Sequence, residues 1–248
     1  MSKIPLGIQL YTVREAIKTD FRGVIRELAH MGYKGVEFAG IYGGMAPAEL
    51  AAFLKEVGLK TCGLHLSKDG LADPKNECWA YVAALQSPFV TTSLQSLVQN
   101  DLDAAVAACN LAGQNAAAKG VTFTYHNHAG EFVKINGQYA LDLLYQRTDP
   151  AKVKGELDTY WIKKGGEDPV PYLLKYAGRV PQIHLKDMNP ANQDFTEVGE
   201  GLMDLPAIFD AAAKMGVKWI IYEQDKCAGP ALESARKSIT NLKKLGLV

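Results

Sequence analysis

Four of the chain's five histidines stand where short, apolar, β-rich runs stop. His65 ends one such run, His126 and His128 another, and His184 a third, with Lys186 two residues beyond it. Glu37, Asp158 and Glu223 end three more. Side chains alternate along a strand, so His126 and His128 share a face, as do Glu156 and Asp158, and His184 and Lys186. Imidazoles beside carboxylates form a mixed nitrogen–oxygen donor set, which suits manganese, cobalt, magnesium or zinc rather than a thiolate-seeking ion. The four cysteines, Cys62, Cys78, Cys109 and Cys227, are dispersed without a C-x-x-C pair and are expected to be buried free thiols. His30 lies inside a helical pattern away from these ends, and a structural role is expected for it.

What must position these groups is a regular alternation. Strands are predicted at 6–10, 35–38, 60–66, 89–94, 121–126, 154–158, 180–185 and 219–223, with starts recurring about every 30 residues, the length of one strand–helix unit. Helices are predicted at 21–31, 47–57, 101–119, 204–215 and 230–245. The first places Val24, Leu28 and Met31 on one stripe, with Asp20 as its N-cap and Gly32 as its stop. Pro47 and Pro230 suit first turns, and Gly58, Gly120, Gly216 and Gly246 suit helix ends. Eight such units without a glycine-rich linker predict one α/β domain over residues 1–248, a single closed (β/α)8 TIM barrel. The competing doubly wound sheet would be built around a phosphate loop, yet no G-x-G-x-x-G follows the first strand, and Gly199-Glu200-Gly201 comes too late to serve. In a barrel the strand C-termini carry the chemistry, so Asp158, His184 and Glu223, from strands six, seven and eight, are brought together.

These residues sit in recurrent motifs: GIQLYTVR, YHNHAGEF at strand five, LDTYW at strand six, IHLKD at strand seven, VGEG after it and YEQD at strand eight. Together they resemble the xylose isomerase-like TIM barrel proteins of the sugar phosphate isomerase/epimerase family, whose relatives include tagatose epimerases, hydroxypyruvate isomerases, inosose dehydratases and, more distantly, type IV endonucleases. The likeness covers essentially the whole chain. It implies one divalent ion (Mn, Co, Mg or Zn) held by a glutamate from strand five, an aspartate from six, a histidine from seven and a glutamate from eight. Asp158, His184 and Glu223 match the last three. At strand five His126 stands where many relatives have glutamate; either His126 ligates as imidazole, the favoured reading, or Glu131 reaches back from the loop.

The resemblance also implies an activity, isomerisation or epimerisation of a small sugar or polyol carbonyl compound through an enediolate. In that chemistry the metal polarises the substrate oxygens and a carboxylate acts as base. Glu223 and His126 are the implied catalytic pair, and His65, Glu37, Lys186, Trp161 and Gln9 the implied substrate-binding groups. Because His126 breaks the two-glutamate pattern, the main alternative is a dehydratase or lyase acting on an inosose or keto-sugar. A non-catalytic sugar-binding barrel follows if the change abolishes metal binding.

Lysine plus arginine equals aspartate plus glutamate, 27 each, so the formal charge is zero. That balance gives no basic footprint for nucleic acid and argues against a nuclease. No run of about 20 apolar residues suggests a membrane span, and the N-terminal residues lack signal-peptide features, so cytoplasm is the expected location. The exposed barrel helices offer faces on which a homodimer can form.

Overall fold

Short runs of four to six residues fold as strands buried on nearly all sides, as parallel strands roofed by helices must be. The computed structural model describes residues 3–248; residues 1–2 of the expected 1–248 domain lie outside the described residues. The barrel strands are β1 Leu6–Gln9, β2 Gly35–Phe38, β3 Lys60–His65, β4 Phe89–Thr92, β5 Thr122–His126, β6 Val153–Asp158, β7 Gln182–Leu185 and β8 Trp219–Tyr222. All pairs are parallel, and β1 closes the ring by pairing with both β2 and β8. The predicted (β/α)8 barrel is the fold that forms.

Each strand is followed by an outer helix: α1 Phe21–Met31, α2 Pro47–Val57, α3 Cys78–Ala84, α4 Leu102–Ala118, α5 Ala140–Arg147, α6 Pro169–Lys175, α7 Leu205–Met215 and α8 Ala231–Lys244. Asp20 caps α1 by accepting from the Gly23 amide at 2.8 Å, and Gly32 ends it at φ 105°, a left-handed conformation natural to glycine. The stripe of Val24, Leu28 and Met31 is buried against the barrel, while His30 is exposed on the same helix. The predicted starts at 101 and 204 are one residue early because Asp101 and Asp204 are caps, accepting from Ala104 and Ala207, rather than helical residues. Several predicted strands overshoot because the chain leaves the sheet at once; Leu10, for example, opens a 3₁₀ turn at Leu10–Val13. Short helices at Arg14–Thr19, Lys68–Ala72, Gln95–Asn100 and Thr159–Lys164 follow strands and crowd the C-terminal face.

Inside the ring the composition changes from one end to the other. The lower end is plugged by Cys62, Phe89, Trp219 and Ile221. Gly7 and Gly35 make this possible: a Cβ on Gly7 would lie 2.7 Å from Cys62 Sγ, and one on Gly35 2.9 Å from the Trp219 ring. Above the plug the interior is polar, with Gln9, Glu37, Thr91, Thr124, Glu156 and Gln182 all buried. All four cysteines are free, as expected, but only Cys62 and Cys109 are buried; Cys78 and Cys227 are half-buried. No helix among the described residues is long and apolar enough to cross a membrane.

Candidate metal and active site

β5 to β8 each deliver two groups spaced by two residues to the mouth: His126 and His128, Glu156 and Asp158, His184 and Lys186, Glu223 and Asp225. His126, Asp158, His184 and Glu223 present one donor atom each, all within 4.8 Å of one another and all buried. A second foursome, His65, His126, Glu156 and His184, meets the same criterion, with Glu156 two residues before Asp158 on β6 and His65 half-buried.

His184 is gripped at both ends of its ring, with Nδ1 2.9 Å from Glu223 Oε2 and Nε2 2.6 Å from Glu37 Oε2. Burial alone would strip its proton, but the charges of Glu156, Glu37 and Glu223 outweigh burial and hold the ring cationic. Burial likewise opposes a charge on His65, yet Glu37 and Glu156 raise its pKa to about 10. Glu37 and Glu223 sit on the other side of these pairs. Burial would raise them, but His65 and His184 in the one case, and Lys186 and His184 in the other, hold them well below the usual carboxylate range. Glu156 is pushed to about 7 by burial and by the charge of Glu37. His126 is driven down by burial and by His184, and so is a neutral imidazole with a lone pair to offer. Burial and Lys186 lower His128 to about 4.

Lys186, buried, lies 2.7 Å from Glu223 Oε2, 2.8 Å from Asp158 Oδ2 and 3.1 Å from Asp225 Oδ2. Burial works against its charge, but Asp158, Glu223 and Asp225 keep it protonated. Trp161 stands at the rim, its ring 5.4 Å from His128 and 5.5 Å from the Lys186 ammonium. Gln9 does not open to the mouth: its Nε2 donates to Glu37 Oε2 at 2.8 Å and its Oε1 accepts from the Tyr11 amide. Glu37 itself is fully buried beneath His184, and Gly63 leaves room for it, since a Cβ there would strike Glu37 Oε1. Half-buried His65 bridges Glu156 and Glu37 at 2.8 and 3.2 Å. Glu131 does not enter either foursome. Its carboxylate accepts from the Tyr125 hydroxyl at 2.8 Å and the His128 amide at 3.0 Å, capping the turn Ala129–Phe132.

Glu156 and His128 were placed on a shared strand face from the sequence but given no role of their own, and Asp225 and Asp187 were not singled out. Glu156, His128 and Asp225 follow from the alternation rule once the inward face is known. Asp187, in the IHLKD motif, organises the VGEG loop by accepting from the amides of Met188, Gly199, Gly201 and Met203 at 2.8–3.1 Å. Gly201 must be glycine here because a Cβ would collide with that carboxylate. Glu200 faces away from the mouth and pairs with Lys237. A groove of about 520 Å³ lined by Lys68, Ser93, Gln95 and His128 opens beside the mouth. The larger cavity of about 830 Å³, lined by Leu54, Thr61, Leu85 and Trp219, lies at the plugged end of the barrel, away from the ionisable cluster.

Known proteins share this fold. An inosose dehydratase of Lacticaseibacillus casei is 27% identical over 262 aligned residues, covering 88% of this chain and 87% of its own. A sugar phosphate isomerase/epimerase from Parabacteroides distasonis has the same fold, with a TM-score of 0.81 at 23% identity over 100% of this chain and 96% of that one. A 3-keto-D-glucoside 4-epimerase from E. coli aligns with a TM-score of 0.75 at 17% identity, covering 98% of this chain and 100% of that one. The sequence profile of the xylose isomerase-like TIM barrel matches residues 25–245, and the chain belongs to that family.

Proposed function

We propose that the barrel is a divalent-metal-dependent enzyme that removes the proton beside the carbonyl of a small sugar or polyol and completes the reaction as a dehydration. The residues fit such an ion. His126 Nε2 and His184 Nδ1 face Asp158 Oδ2 at 3.9 and 4.0 Å, and the four donor atoms lie within 4.8 Å of one another in a buried cluster. His126, Asp158, His184 and Glu223 would hold the ion, with Glu37 fixing the His184 ring from behind and Gln9 fixing Glu37. The ammonium of Lys186 lies against the same carboxylates and also 3.1 Å from Asp225 Oδ2, so Asp225 would remain as its partner were an ion held by the other two. The ion, when bound, supplies Lewis-acid polarisation of the substrate carbonyl.

The observation that carries the reading is that an imidazole and an ammonium flank one indole, with the His128 ring 5.4 Å and Lys186 Nζ 5.5 Å from the Trp161 ring. His128 is neutral above about pH 4 and takes the proton from carbon. Lys186, kept charged, gives a proton to the departing hydroxyl, which leaves as water, and solvent returns the proton from His128 to Lys186. Trp161 forms the apolar wall on which the ring of an inosose or keto-sugar rests. The named dehydratase relative supports this outcome. An isomerase or epimerase is the second reading, supported by Glu223 as a basic group facing the imidazoles and by the neighbouring epimerase fold.

The test is a panel of inososes, 3-keto-sugars and ketoses incubated in D2O with manganese-loaded protein and followed by NMR. Release of water with loss of the α-proton is expected. Deuterium uptake without elimination would replace dehydration by isomerisation, and neither event with any divalent ion would sink both readings.

A further inference from the structure

We propose that the barrel carries a second cation position beneath the first, formed by His65, His126, Glu156 and His184, which prefers zinc-type ions and cannot be filled together with the outer one. The two positions use opposite nitrogens of the same rings. His126 turns Nε2 toward Asp158 but Nδ1 toward Glu156, and His184 turns Nδ1 toward Glu223 but Nε2 toward Glu156 and Glu37. The two rings are therefore a wall between an outer and an inner chamber.

The inner chamber is a built site. Glu156 Oε2 lies 2.8 Å from His65 Nε2, 3.3 Å from His126 Nδ1 and 3.4 Å from His184 Nε2. A tetrahedral ion with bonds of about 2.1 Å keeps its ligand atoms about 3.4 Å apart, so small outward shifts of the donors make room for one. The other oxygen of Glu156 is tied to Gln182 Nε2, which also reaches Thr91 and Thr124 at 3.2 and 3.3 Å. That anchorage leaves Oε2, paired with His65, as the oxygen that faces the three rings. His126 Nδ1 points into the chamber, is buried and has no hydrogen-bond partner, an arrangement that native interiors avoid unless something else completes it. Glu37 Oε2, which accepts from Gln9, lies 3.2 Å from His65 Nε2 and 2.6 Å from His184 Nε2 and borders the same chamber.

The donor sets differ in kind. The inner position offers three nitrogens and one carboxylate, the outer two nitrogens and two carboxylates. Nitrogen-rich sites favour zinc, nickel and copper, and oxygen-rich ones manganese and magnesium. Filling both at once would require His126 and His184 each to bridge two ions as imidazolates, so one ion excludes the other. A zinc-type ion in the inner chamber thus removes two ligands from the outer position and silences it. The proposal does not depend on the reaction assigned above, only on these residues.

The test is calorimetric titration of the metal-stripped full chain with zinc and with manganese, in the wild type, His65→Gln and Asp158→Asn. His65→Gln should weaken zinc by about tenfold or more and leave manganese unchanged, and Asp158→Asn should do the reverse. Equal zinc affinity in wild type and His65→Gln, or Asp158→Asn weakening both ions alike, would overturn the inner position. Failure of wild type to bind manganese while zinc binding still depends on His65 would sink the outer site alone. Should His65→Gln not fold, anomalous diffraction at the zinc edge from soaked wild-type crystals decides. Density between His65 and Glu156 supports the proposal, and density between Asp158 and Glu223 overturns it.

Discussion

Glu37 shows how a residue can matter to a site without facing it. Its carboxylate sits wholly below the mouth, 2.6 Å from the far nitrogen of His184, and Gln9 holds it there. A carboxylate behind a ligand imidazole fixes the ring and raises its basicity. Replacing it by Glu37→Gln keeps the shape but removes that charge, so manganese affinity should fall about 10- to 100-fold with the fold intact. Titration calorimetry with circular dichroism as the fold control reads this directly, and unchanged affinity would deny Glu37 its supporting role. At this scale the sequence was partly legible. Alternation paired Glu156 with Asp158 and His126 with His128, but it says only that two side chains share a face, not which face looks inward. That choice is made by the barrel's closure, and it is why Glu156 and His128 were paired with a neighbour but given no role, and Asp225 was not seen, while Asp158, His184 and Glu223 were assigned.

Among the elements, the turn that follows β5 has its own electrostatic signature. Glu131 caps it from a buried position, and burial lifts its pKa from 4.5 to about 7. The folded state therefore holds this proton more tightly than the unfolded chain does. The resulting stabilisation is complete below about pH 4.5 and is lost as pH rises through about 7. Above that, the wild type carries a buried charge that Glu131→Gln lacks. The free-energy difference between the two should swing toward the variant by on the order of 3 kcal/mol between pH 4.5 and 8. Urea unfolding at both pH values checks it, and a difference that stays constant with pH would refute it. This turn was foreseen only as a possible donor loop, because chain spacing cannot show that Tyr125, facing outward from β5, claims the Glu131 carboxylate. The long helices were legible through caps and stripes such as Asp20, Val24, Leu28 and Gly32. The short ones, such as Gln95–Asn100 and Thr159–Lys164, were not, since six residues barely exceed one amphipathic period.

Across the whole molecule the barrel is asymmetric, with an apolar plug of Cys62, Phe89, Trp219 and Ile221 at one end and a dense ionisable cluster at the other. Barrels usually fill this interior with branched aliphatic side chains; here buried carboxylates, imidazoles and an ammonium balance one another instead. Such a network gives little net stability by itself, because desolvation offsets most of the attraction among its charges. A divalent ion changes that balance. Its proposed outer ligands come from four consecutive strands, β5 to β8, so a bound ion would tie half of the ring together and would bind the folded state only. At a free concentration 100 times its dissociation constant it should add about 2.7 kcal/mol, which for a chain of this size raises the melting temperature by about 5–10 °C. Amide exchange should slow most in β5 to β8 and least in β2 and β3, because local protection follows the elements that the ligand crosslinks. Thermal unfolding and hydrogen exchange of metal-stripped and manganese-loaded protein measure both. A melting temperature indifferent to the ion, or protection spread evenly round the ring, would mean that no ion joins those four strands.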